Sequence, residues 1–179
     1  AGSDSIGIHN YSSYRSIIIN SGVIDADIAY LGATWSSYET FNNDGTIIGD
    51  VKMQSGTDIF NNTGSITGDV DMGVGDDTLT NTGTITGNVD LSSGNDRLNN
   101  TGGSVDGIID GGAGHDIIIG SAGDDTIDGG DGSDSLLGGD GNDSLAGGNG
   151  DDTIIGGNGD DMITLGSGGD VIDLRAGRG

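Results

Sequence analysis

The sequence predicts an all-β fold, a parallel β-helix solenoid with 18–19 residues per turn and an irregular N-terminal cap. Residues 111–173 divide into seven consecutive nonapeptides: GGAGHDIII, GSAGDDTID, GGDGSDSLL, GGDGNDSLA, GGNGDDTII, GGNGDDMIT and LGSGGDVID. Residues 43–110 repeat at an interval of 19. Composition suits a narrow, repetitive core, with 31% hydrophobic and 4% aromatic residues, 39 Gly and no Pro. A flexible linker can be as rich in Gly, but it would not return a large apolar residue at every ninth position.

Residues 1–41 read as irregular N-terminal capping turns, and they hold Trp35 and all four Tyr residues, Tyr11, Tyr14, Tyr30 and Tyr38. Residues 20–28 still align with 43–51 at an offset of 23, and 39–43 with 58–62 at an offset of 19. The difference implies a four-residue insertion within 31–38. An aromatic-rich, atypical first turn suits a solenoid, whose end must be covered.

Residues 42–110 form the section with 19-residue repeats. Gly45, Gly64, Gly83 and Gly102 mark one corner, and Ile47, Ile66 and Ile85 follow. Val51, Val70 and Val89, then Met53, Met72 and Leu91, continue an alternation expected of strands facing a core. Asn20, Asn43, Asn62, Asn81 and Asn100 stand two places before the corner Gly, and stacking in register would join their amides into a ladder. The second half of each unit, MQSGTDIFN, MGVGDDTLT and LSSGNDRLN, is a degenerate nonapeptide. It keeps a fourth-place Gly (Gly56, Gly75, Gly94), a sixth-place Asp and an eighth-place apolar residue (Phe60, Leu79, Leu98). So 19 is ten plus nine, and the section 111–173 is nine plus nine. Residues 174–179 end without a closing element, Ala1–Ser3 reads as an appended start, and the chain is expected to be a segment of a longer protein.

That period sorts the acids into columns. Asp58, Asp77, Asp96, Asp116, Asp134, Asp152 and Asp170 should stack along one edge, and Asp125, Asp143 and Asp161 along the other. With some nine turns at ~4.8 Å per strand, the rod would be roughly 40 Å long. Net charge is −24, so such a chain repels itself unless cations neutralise it, and a nucleic-acid partner is excluded for want of a basic surface. Cys is absent and His numbers two, His9 and His115, which argues against zinc or copper. The repeated loop suits a hard cation instead. Gly permits positive φ, so carbonyls can converge, and calcium takes six to eight oxygens at about 2.3–2.6 Å. No apolar run approaches a membrane span, and no signal peptide is visible.

Residues 111–173, with seven near-matches to G-G-x-G-x-D-x-U-x, resemble the calcium-binding repeats of RTX proteins, bacterial proteins exported by type I secretion. The resemblance implies a right-handed parallel β-roll in which two nonapeptides make one turn. It implies calcium between loops two repeats apart, held by sixth-place Asp and by carbonyls of places one to four. Carried over, the carboxylate ligands are Asp116, Asp134, Asp152 and Asp170 on one edge and Asp125, Asp143 and Asp161 on the other. Loop ligands are Gly111, Gly112, Gly114, Gly129, Gly130, Asp131, Gly132, Gly138, Gly139, Asp140, Gly141, Gly147, Gly148, Asn149, Gly150, Gly156, Gly157 and Gly159. The column extends to Asp58, Asp77 and Asp96, whose loops carry Met, Leu, Gln or Ser where the first two Gly belong. Residues 120–122 read GSA and 165–166 read LG, so those loops are expected to bind less well. Glu39 aligns with the long column, but its loop carries the insertion and is expected to hold no site.

Filling every gap would take ~8 ions, six in the long column and two in the short one. The expected function is a non-catalytic, calcium-binding extracellular module that folds on calcium after secretion, as a scaffold, adhesin stalk or surface-layer segment. The alternative is the C-terminal RTX module of a secreted enzyme whose catalytic domain lies outside this chain. No HExxH or GxSxG element occurs here. A third reading, a solenoid acting on acidic polysaccharide, lacks a basic groove, because Arg15, Lys52, Arg97, Arg175 and Arg178 are scattered. Partners beyond calcium would be a cell-surface polysaccharide or other copies of the parent protein.

Overall fold

The computed structural model describes residues 6–12, 14–34 and 38–173. Trp35 and the tail 174–179 lie outside the described residues, as does Ala1–Ser3. Among the described residues the fold is all β, two parallel sheets wound as one solenoid. No helix among the described residues is long and apolar enough to cross a membrane.

One sheet has nine strands in chain order: Ser16–Asn20, Glu39–Asn43, Ile59–Asn62, Thr78–Asn81, Arg97–Asn99, Ile117–Ile119, Ser135–Asp140, Thr153–Asn158 and Val171–Ile172. Registers give the residues per turn directly. Ser16 pairs with Glu39, an offset of 23, and Thr40 with Ile59, an offset of 19. Ile117 pairs with Ser135 and Ser135 with Thr153, offsets of 18. Beyond the 23-residue first turn, one turn departs from the 18–19 rule: Arg97 pairs with Ile117 and Thr84 with Ser104, offsets of 20. The extra residue sits at the Gly102-Gly103 corner, where the Gly103 N–H turns back to donate to the Asn100 carbonyl at 3.0 Å. Gly is required there, since a Cβ on Gly103 would meet Asn81 Nδ2 at 2.5 Å.

The second sheet is broken in the upstream turns and continuous downstream. Ser65–Thr67 and Val70–Asp71 belong to one turn, bent apart at Gly68, and Thr84–Ile85 and Val89–Asp90 repeat the pattern. Downstream, a single strand per turn remains: Thr126–Asp128, Ser144–Asn149 and Met162–Ser167.

This difference sets the core. The turn 59–77 buries four large apolar side chains, Phe60, Ile66, Val70 and Met72, and the next buries Leu79, Ile85, Val89 and Leu91. The turns from 117 to 152 bury two, Ile118 with Ile127 and Leu136 with Leu145, and the next buries Ile154 alone. Each such side chain contributes about 1.5–3 kcal/mol, while ordering each residue's backbone costs about 1–2 kcal/mol. A downstream turn of 18 residues therefore has half the apolar stabilisation per turn of an upstream one.

The N-terminal section is coiled in the same sense. Ile6–His9 pairs with Val23–Leu31, which pairs with Thr46–Lys52 through two register shifts between Asp25 and Tyr30. Tyr30 closes the core, its ring 4.6 Å from Phe41, which stacks on Phe60 at 5.1 Å. Of the four Tyr, Tyr30 is the one packed inside; Tyr11, Tyr14 and Tyr38 are exposed.

Candidate metal centre

Register places the two predicted columns. On the long edge each Asp N–H donates to the carboxylate Oδ1 of the Asp one turn later: Asp58 to Asp77, Asp77 to Asp96 and Asp96 to Asp116, all at 2.7 Å. Asp116 donates to Asp134 at 2.8 Å, Asp134 to Asp152 at 2.9 Å and Asp152 to Asp170 at 3.1 Å. On the short edge Asp125 donates to Asp143 at 2.9 Å and Asp143 to Asp161 at 3.0 Å. One oxygen of each receiving carboxylate is thus fixed by its predecessor.

The other oxygen is left over. Oδ2 of Asp58, Asp77, Asp96, Asp116, Asp134, Asp143 and Asp152 is buried without a hydrogen-bond partner. A buried unpaired carboxylate oxygen costs free energy, so a repeated row of them calls for a proton or a cation. Burial, opposed by the N–H just described and reinforced by neighbouring carboxylates, raises Asp58, Asp134 and Asp143 to about 6. Asp96 rises to about 7 and Asp77 to about 8 by burial in the same way. Burial also raises Asp116 and Asp125.

Where these oxygens point decides what they can hold. A Cβ built on Gly129 would lie 2.6 Å from the Gly147 carbonyl and 2.7 Å from Asp134 Oδ2. One on Gly147 would lie 2.5 Å from both Asp152 Oδ2 and the Leu165 carbonyl. Gly111 faces Asp116 Oδ2 and the Gly129 carbonyl, and Gly138 faces Asp143 Oδ2 and the Gly156 carbonyl. Gly156 faces Asp161 Oδ2. Gly111, Gly129, Gly138 and Gly147 thus each leave a cradle, which a side chain would fill, where a carboxylate oxygen and a next-turn carbonyl converge, the hard-oxygen donors that calcium takes. Among the described residues no three His, Cys, Asp or Glu side chains converge, so the remaining ligands must be backbone oxygens. The donor set fits a hard divalent ion such as calcium, which supplies the charge that ties successive carboxylates together.

The loop backbone is the same throughout the long edge. Second-place Gly112, Gly130 and Gly148 and fourth-place Gly114, Gly132 and Gly150 have positive φ, and so do Gly139, Gly141, Gly157 and Gly159 of the short edge. Upstream, Gln54 (φ 76°) and Ser92 (φ 69°) adopt this conformation without being Gly. Second-place carbonyls already accept one inter-turn bond each, as Gly112 does from Asp131 N–H and Gly130 from Asn149 N–H. The side chains of Asp131, Asp140 and Asn149 run outside the cradles: Asn149 Nδ2 donates to Asp131 and Asn158 Nδ2 to Asp140, both at 2.7 Å.

Two loops differ. Asp125 Oδ2 accepts from Ser121 N–H at 2.7 Å and Ser121 Oγ–H at 2.9 Å, so the GSA loop fills its own cradle. Glu39 heads the long column but is spent on the cap: it accepts from Tyr30 O–H at 2.7 Å, Ala33 N–H at 2.9 Å and Asn10 Nδ2 at 2.6 Å. The signal for Ser121 was visible, because a hydroxyl at the second place is a donor where Gly offers none. His115 is exposed and its Nδ1 accepts from Ser133 N–H at 2.8 Å, one rung of an outer ladder that also includes Asp76, Asn95 and Asp151.

The Asn ladder stands opposite the long column. Asn20, Asn43, Asn62 and Asn81 each donate through Nδ2 to Oδ1 of the next, ending on Asn100, at 2.7 Å in every step. A shallow groove of about 380 Å³ on the broken sheet is lined by Asp50, Asp69, Asp71, Asp90 and Asp110, with Lys52 its one cation. Its charge opposes an acidic polymer.

A family model described as the RTX calcium-binding nonapeptide repeat matches residues 101–136 and again 137–172. Comparison with curated proteins returns no match, and comparison with solved structures returns none. With Gly cradles, paired Asp columns and this match together, residues 101–172 are an array of RTX calcium-binding nonapeptide repeats.

Proposed function

We propose that this calcium-binding module is a non-catalytic structural rod of an extracellular protein, and that its downstream turns fold as calcium binds. The observation that carries the reading is the row of buried Oδ2 atoms without partners on Asp116, Asp134, Asp143 and Asp152, each beside a first-place Gly. The ligands proposed for the long edge are Asp116, Asp134, Asp152 and Asp170 with the carbonyls of Gly129, Gly147 and Leu165. On the short edge they are Asp143 and Asp161 with the Gly156 carbonyl, and Asp125 only when Ser121 turns away.

The energetics support coupling of folding to calcium. A downstream turn buries one or two aliphatic side chains and stacks carboxylates at strand spacing, so without a counter-ion its repulsion is opposed by little packing. Extracellular calcium is plentiful where cytosolic calcium is scarce, so a chain of this kind would stay open before export and close after it. The scaffold role is supported by the rod form itself, two parallel sheets wound as one solenoid.

Isothermal titration with calcium, together with far-ultraviolet circular dichroism reversed by EDTA, tests this. Binding heat and a gain of β signal on calcium addition are expected. A β signal indifferent to chelation, with no calcium heat, would refute it.

A further inference from the structure

The long column is continuous in its backbone and in its Asp-to-Asp bonds, but the first place of its loops changes character midway. At 111, 129 and 147 it is Gly; at 53, 72 and 91 it is Met53, Met72 and Leu91, each wholly buried in the core. Register makes these positions equivalent. The N–H groups of Met53, Met72, Leu91 and Gly111 donate to the carbonyls of Asp71, Asp90, Asp110 and Asp128, the same bond one turn apart. A Cβ at Gly111 would enter the cradle beside Asp116 Oδ2, so in the upstream loops a Cβ with a whole apolar side chain stands there.

We infer that the first-place side chain decides whether a turn takes calcium: Met53, Met72 and Leu91 exclude it from the upstream half of the long column, and residues 38–110 form a base that holds its fold without calcium. The inference rests on the calcium reading of the downstream loops and goes beyond it. It also narrows the ion set: of eight gaps in the two columns, the three headed by Met53, Met72 and Leu91 are closed, which leaves five.

Three independent features equip the base to stand alone. Its turns bury three or four large apolar side chains where the downstream turns bury one or two. Its second edge carries the Asn ladder, whose amides bond to one another and need no ion. Its upper end is closed by Tyr30, Phe41 and Phe60 in contact and by Glu39 with its three donors. The downstream turns have none of these. They receive from the base a ready strand edge, Arg97–Asn99 for Ile117–Ile119, and a ready carbonyl, Ser92, for the Ala113 N–H. The base is therefore the template on which the calcium turns assemble.

Hydrogen exchange read by mass spectrometry on the full chain, in EDTA and in calcium at a hundred times its Kd, tests this. In EDTA, Ile59–Asn62, Thr78–Asn81 and Arg97–Asn99 should exchange slowly while Ser135–Asp140, Ser144–Asn149 and Thr153–Asn158 exchange like an open chain. Calcium should slow the second set by about 100-fold or more and leave the first set nearly unchanged. Rapid exchange of the first set in EDTA would overturn the inference and leave the calcium reading standing, whereas absence of calcium heat defeats that reading itself. Native mass spectrometry supplies a second check. The chain should hold five or fewer ions and Met72→Gly should hold one more, with Met72→Ala unchanged; eight ions in the unaltered chain, or no gain in a folded M72G, would overturn the role given to these side chains.

Discussion

Replacing Gly129 by Ala puts a methyl group into one cradle. Gly129 is not among the glycines held at positive φ, so its φ suits Ala, but the Gly147 carbonyl must shift to admit the methyl, which adds a calcium-independent cost read in EDTA. The added methyl would sit 2.6 Å from the Gly147 carbonyl and 2.7 Å from Asp134 Oδ2, on ground the ion needs. Calcium at a hundred times its Kd stabilises a fold by about 2.7 kcal/mol per site. Loss of one site should remove roughly that amount, and the calcium midpoint for folding should rise several-fold. The midpoint is read by circular dichroism in a calcium titration, and the ion count by native mass spectrometry. Gly102→Ala is the control, because the nearest atom to its Cβ, a Thr82 methyl, lies at 3.4 Å. If G129A kept the ion count and midpoint of G102A, the cradle would not be where calcium is held.

Four further outcomes follow from the same geometry. A carboxyl whose folded pKa is raised favours folding while it holds its proton and withdraws that favour as pH climbs to the folded value; burial raises Asp77 from 3.8 to about 8. In EDTA the base should therefore be most stable near pH 4 and lose stability up to about pH 8, and Asp77→Asn, seen by urea denaturation, should flatten that slope. In calcium the trend reverses for the downstream turns, since Asp134 and Asp143, at about 6, must shed protons to bind, and calcium affinity by titration calorimetry should fall below that pH. Asn81→Leu breaks a ladder whose neighbours, Asn62 and Asn100, are buried. It leaves unpaired amide groups costing about 1–3 kcal/mol each, a loss that denaturation in EDTA should report. Ser121→Gly removes both the hydroxyl donor and the side chain that holds the loop closed over Asp125, so native mass spectrometry should show the Asp125–Asp143 gap filling more readily.

Much of this was legible in the residues because a solenoid converts sequence period into spatial register. Spacing alone placed Asp58 through Asp170 in one column, Asp125 through Asp161 in another, and the five Asn in a ladder, and the hydrogen bonds follow those lines. What escaped was direction. The pattern M-x-x-G-x-D preserves the acid and the turning Gly, so spacing alone does not separate Asp77 from Asp134; the proposed distinction rests on where register puts the Met72 Cβ. The 20-residue turn at Gly102-Gly103 was hidden as well, because an inserted Gly alters no side-chain pattern. Nor did the aromatic content of the first 41 residues separate Tyr30, which packs and bonds to Glu39, from the exposed Tyr11, Tyr14 and Tyr38.

The Asp-to-Asp bonds have a direction with a consequence for length. Along the two columns each Asp amide is answered by a carboxylate of the turn that follows. A turn of eighteen residues placed between Asp134 and Asp152 would meet on both faces the same contacts that those residues now offer each other. Removing one would leave ends that still match. The rod is in this respect a tape measure: its span can be set in steps of one strand spacing, about 4.8 Å, by adding or deleting whole turns, while the closed upper end stays as it is.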